Sequence, residues 1–71
     1  RYKINAQETE VYRFLIEKAN SVYSMLLGRR RDELMVETRR FEEEVSQASV
    51  YHLPKLYQSF SNYLDFLERG L

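Results

Sequence analysis

Residues 11–28 read VYRFLIEKANSVYSMLLG, and this stretch decides the fold. Its apolar side chains recur three and four apart instead of alternating, which is the period of a helix. At about 100° per residue, Val11, Tyr12, Phe14, Leu15, Ile16, Ala19, Val22, Tyr23, Met25, Leu26 and Leu27 sweep about 220° of the helix circumference, interrupted by Lys18. A bundle helix typically needs an apolar face of somewhat over about 100°. The excess resolves into two ridges. Val11, Leu15, Val22 and Leu26 form one, expected to enter the chain's own core. Tyr12, Ile16, Tyr23 and Leu27 form the other, with Ala19 between them; two helices of the same chain could together cover both ridges, and otherwise this second ridge is the candidate partner-binding surface. On it, Tyr12 and Tyr23 are the expected anchors, because a Tyr combines a large apolar body with a polar tip.

Working outward from this stretch, Asn5 and Glu8 stand in capping-box spacing, which predicts a first helix over about 6–27. Gly28 is the break. Beyond it, Arg29, Arg30 and Arg31 would close the first helix at its negative end, and Asp32 and Glu33 would open the second at its positive end. The second helix is predicted over about 32–48, with Leu34, Thr38, Phe41, Val45 and Ala48 on one stripe. An earlier start at Arg29 would put Arg30 on that stripe. The rival arrangement is one unbroken helix through Gly28, at roughly 1 kcal/mol relative to Ala. Pro54 suits the first turn of a third helix over about 54–69, and Gly70 suits its end. Leu53, Tyr57, Phe60, Leu64, Leu67 and Leu71 keep the spacing of a bundle seam, widened by Leu56 and Tyr63. Phe66 and Val36 point outward. The expected fold is all-α, a small three-helix bundle or helical hairpin with coiled-coil-like packing.

A chain of 71 residues holds a single domain, and one this small gains only about 3–5 kcal/mol from its core unless something staples it. There is no Cys for a disulfide or thiolate metal site, and one His does not make a His-rich one. The chain does not begin with Met, so it is read as a fragment of a longer protein. No apolar run approaches the ~20 residues of a membrane span, and the N-terminus lacks a signal peptide's apolar region. Together with the absence of Cys, this gives an expected intracellular location, cytoplasmic or nuclear. Eleven basic and eleven acidic side chains leave a net charge of zero, which argues against a nucleic-acid binder.

No pattern points to catalysis. His52 has no Ser, Cys or Asp partner in a recognisable arrangement, and Glu42, Glu43 and Glu44 splay around a helix instead of converging. No enzyme activity, cofactor or metal is expected. Arg39–Glu43 and Arg40–Glu44 have the spacing of solvent-facing helix pairs. The expected function is protein–protein interaction or oligomerisation, self or with another helical chain, through the ridge on the first helix. The alternative is recognition of a phosphate, anionic lipid or acidic peptide by Arg29, Arg30 and Arg31, since guanidinium groups suit such anions.

Overall fold

The computed structural model describes residues 9–71, which form three helices: α1 (Glu10–Met25), α2 (Arg29–Gln47) and α3 (Leu53–Arg69). They pack on one another as a three-helix bundle, not a two-helix hairpin, with no strand among the described residues.

Each helix end has a local cause. Thr9 is extended (φ −72°, ψ 153°) and its hydroxyl accepts the Tyr12 N–H at 3.2 Å, so α1 starts at Glu10 and not at 6. A Thr hydroxyl can satisfy one of the free N–H groups of a first turn. The expected Asn5–Glu8 capping box lies outside the described residues. At its other end α1 stops at Met25, two residues earlier than expected, because Leu26 turns extended while staying buried. Gly28 completes the reversal at φ 62°, ψ −136°, a backbone region open to glycine.

α2 then begins at Arg29, three residues before the predicted Asp32. Arg30 does fall beside the apolar stripe, but at the end of the bundle its long side chain reaches out of the core. A Cβ on Gly70 would stand 2.7 Å from the Arg30 Nη1 atom, so the guanidinium lies against the end of α3. The dipole reading of the arginines is therefore corrected. α1 has no basic residue in its last turn, and Arg29–Arg31 occupy the positive end of α2. At α3, His52 takes the cap position, Pro54 sits in the first turn, and the Gly70 N–H bonds the Leu67 carbonyl. The helix ends at Arg69, as predicted.

Two contacts fix the register. The Thr9 and Tyr57 hydroxyls meet at 3.2 Å, and Lys18 Nζ donates to Asp65 Oδ1 at 2.8 Å. The separations, 48 and 47 residues, are nearly equal, so α1 and α3 run parallel. α2 runs back antiparallel to both.

The core consists of Tyr12, Leu15, Ala19, Val22 and Leu26 from the α1 region, Leu34, Phe41 and Val45 from α2, and Phe60, Leu64 and Leu67 from α3. It includes a cluster of rings. Phe41 stacks on Phe60 with centroids 4.2 Å apart and on Tyr12 at 5.7 Å, and meets Tyr57 edge-on at 6.2 Å. No polar or charged residue is buried among the described residues, so the helices are joined by apolar contact and not by an internal polar network. Phe41→Ala should cost about 3–5 kcal/mol, since it removes the ring between two helices. Thr9→Ala should cost about 1 kcal/mol through the lost cap. Urea unfolding measures both; a Phe41→Ala loss no larger than the Thr9→Ala loss would contradict this core.

Candidate functional site

α1 is one place where apolar surface exceeds what the bundle covers; Val36 on α2, Phe66 on α3, and Val50 and Tyr51 between them are exposed as well. α2 and α3 bury a central strip of α1: Tyr12, Leu15, Ala19 and Val22, continued by Leu26. This strip spans about 80° at 100° per residue, so apolar flanks remain on either side.

One flank faces α2 and carries most of the predicted ridge, though not as predicted. Tyr12 is not an outward anchor. Its ring is inside, held on Phe41, and burial followed by the nearby Glu42 carboxylate pushes its phenol pKa up. The ridge drawn at fixed angular steps divided residues that two converging helices cover together. Ile16 and Tyr23 are half-buried against the core edge, and Leu27, in the turn beyond α1, is 84% exposed. Alongside Tyr23 runs a shallow groove of about 230 Å³ whose lining includes Ala19, Asn20, Leu34, Met35 and Thr38. The small Ala19 side chain leaves that hollow.

The other flank lies toward α3 and was not assigned to a partner from the sequence. Val11 was expected in the core but is half-exposed; Phe14 is 62% exposed, and Met25 is half-exposed. The three fall within about 60° of one another around α1. Lys18 sits among them, and that interruption was the available signal. Its ammonium reaches Asp65 at 2.8 Å and Glu68 at 3.5 Å on α3. The ion pair therefore occupies the seam and leaves Phe14 and Met25 outside it.

The arginine corner is dispersed. Arg30 lies against Gly70, and the Arg31 guanidinium sits 4.3 Å from the Tyr23 ring centroid. None of Arg29, Arg30 and Arg31 has a carboxylate within ion-pair distance among the described residues, but they do not converge on one point either. On the outer face of α2, Arg40 pairs with Glu37 at 3.5 Å, and neither expected pair, Arg39–Glu43 or Arg40–Glu44, forms. His52 is exposed, with Nδ1 3.0 Å from the Ser49 hydroxyl. No group of three His, Cys, Asp or Glu among the described residues is placed to hold a metal. No described helix is long and apolar enough to cross a membrane. A second groove of about 260 Å³, between α2 and α3, has Phe41 and Phe60 in its lining and Glu37, Arg40 and Glu44 at its rim. Beside it, burial and then Glu37 and Glu33 push the Tyr63 phenol pKa up.

No family model, curated protein or solved structure matches the chain.

The Lys18–Asp65 pair gives a pH expectation. The hydrogen bond from Lys18 holds the Asp65 carboxyl below its ordinary 3.8, and the same bond raises Lys18 above its ordinary 10.5. Its contribution is thus present between those values. It fades as pH falls through the lowered Asp65 pKa, and again as pH rises through the raised Lys18 pKa. Lys18→Met should flatten part of the acid limb of the stability–pH curve. An acid limb identical to wild type would show that the pair does not couple to folding.

Proposed function

We propose that this bundle is a non-catalytic protein–protein interaction module in which the uncovered flanks of α1 are buried against another helical chain, a second copy or a different protein. The observation that supports this reading most is the one-sided coverage of α1. A two-helix embrace buries its middle, while Phe14 stays 62% exposed and Leu27 84% exposed. Single exposed apolar residues are ordinary, but Val11, Phe14 and Met25 lie together on one side of α1, a grouping that suits an association surface. The contacting residues are Ile16, Tyr23 and Leu27 on the α2 side, with Val11, Phe14 and Met25 on the α3 side.

The second reading, an anion contact at Arg29–Arg31, has in its favour that these guanidinium groups lack carboxylate partners among the described residues. Salt separates the two: burial of α1 flanks is nearly indifferent to ionic strength, whereas arginine–phosphate contacts weaken steeply.

Sedimentation equilibrium across a wide concentration range tests the main reading. Solution mass and thermal midpoint should both rise with concentration, because association favours the folded state by mass action. Phe14→Ser, at an exposed position, should leave monomer stability within about 0.5 kcal/mol and weaken association by about tenfold or more. A monomer with a high, concentration-independent midpoint would rule the self-association arm out. Association untouched by Phe14→Ser and by Leu27→Ser would remove the flanks from the account.

A further inference from the structure

We propose that the α1–α2 connection is a hinge through which two copies of this chain exchange α1, so that the partner covering α1 in the opened form is a second copy. Several local features of the closed turn work against it, although Leu26 stays buried there and Arg31 lies over the Tyr23 ring. Leu27, at its tip, is 84% exposed. Gly28 holds φ 62° and ψ −136°, and no side chain caps the start of α2. Three arginines occupy the first turn of α2, where the helix dipole disfavours cations and only Asp32 offsets them, and the last turn of α1 has no basic residue to complement its negative end.

An unbroken helix relieves each of these. The free N–H and C=O groups on either side of the turn pair with one another, and Arg29–Arg31 become interior residues of high helix propensity. Leu27 then stands seven residues before Leu34 and fourteen before Phe41, on the stripe those two bury. The local cost is one Gly inside a helix together with loss of the Arg31 contact on the Tyr23 ring. Opening the turn uncovers the core, and a second opened copy restores it without any new complementarity. Tyr12 of one copy stacks on Phe41 of the other, and Lys18 meets Asp65 across the two chains. The core thus becomes its own interface, which is the general route to swapped dimers. One opposing term keeps the closed chain in play. In such an exchange the Arg29–Arg31 clusters of the two copies approach each other near the two-fold axis, a repulsion that salt screens. This proposal stands apart from the flank reading, since it uses the core and not the exposed flanks.

Gly28→Ala tests it on the whole chain. Alanine is strained at the closed turn although nothing lies within 4 Å of its Cβ, and it is favoured in the unbroken helix. Counting both chains, the dimer association constant at raised ionic strength should increase about twentyfold or more. Inserting two glycines after Leu27, which lengthens the turn, should lower it. Spin labels at Arg13→Cys and Glu43→Cys, diluted with unlabelled chain, report the geometry directly. The closed hairpin keeps them close, whereas the opened helix separates them by about 45 Å. A long distance enriched by Gly28→Ala is the expected result. A dimer content unchanged by Gly28→Ala, or a dimer that keeps the short distance, overturns the hinge. Sensitivity to Phe14→Ser together with indifference to Gly28→Ala would leave the flank reading standing alone.

Discussion

The bundle depends on the ring of Phe41. α2 buries only Leu34, Phe41 and Val45, and it is the most polar of the three helices, so it has little else with which to hold its neighbours. Phe41 stacks on Tyr12 from α1 on one side and on Phe60 from α3 on the other. One side chain therefore joins all three elements. The outer contacts refine this arrangement. Thr9–Tyr57 and Lys18–Asp65 set the parallel register of α1 and α3, but both lie at the edge of the core and contribute orientation more than burial.

Fixing α2 in this way decides what α1 exposes. With Phe41 under Tyr12, and Leu34 level with Ala19 and Tyr23 along the groove, α1 is turned so that Leu15 and Val22 face inward. The apolar arc of α1 itself, about 200° from Phe14 to Ile16, cannot be covered by two neighbours that each take a narrow stripe. Phe14 remains outside on one edge, and Leu27 lies exposed in the turn beyond the helix. The same geometry gathers the irregular features at one end of the bundle. The reversal at Gly28, the arginine turn and Gly70 at the end of α3 meet there, with Arg30 lying against Gly70.

Much of this was legible in the residues. Helical period, the Gly28 break, the Pro54 start and the Gly70 stop are local signals, and the stripes of the second and third helices need only spacing to be read. The split of α1 into ridges was not legible, because a helical wheel shows which residues share a face but not how many neighbours that face receives or where they converge. The wheel alone therefore places Tyr12 outside and Val11 inside, the reverse of what the structure has. The arginines were misassigned for a different reason. Spacing alone argued that Arg30 could not lie beside the α2 stripe, yet at a bundle end a long side chain escapes past it. Lys18 carried unread information: a lone cation within an apolar arc marked the seam with the acids of α3. No signal in the sequence identified a particular partner.

The claim that Phe41 is the joint of the bundle is tested most directly by coupled substitutions that keep apolar volume. Tyr12→Leu, Phe41→Leu and Phe60→Leu, made singly and in pairs, give coupling energies from denaturant unfolding. The account predicts about 0.5–1.5 kcal/mol of coupling for both Tyr12–Phe41 and Phe41–Phe60. It further predicts that any coupling between Tyr12 and Phe60 vanishes once Phe41 is Leu. Additive losses in the first two pairs, or a Tyr12–Phe60 coupling that survives Phe41→Leu, would contradict it.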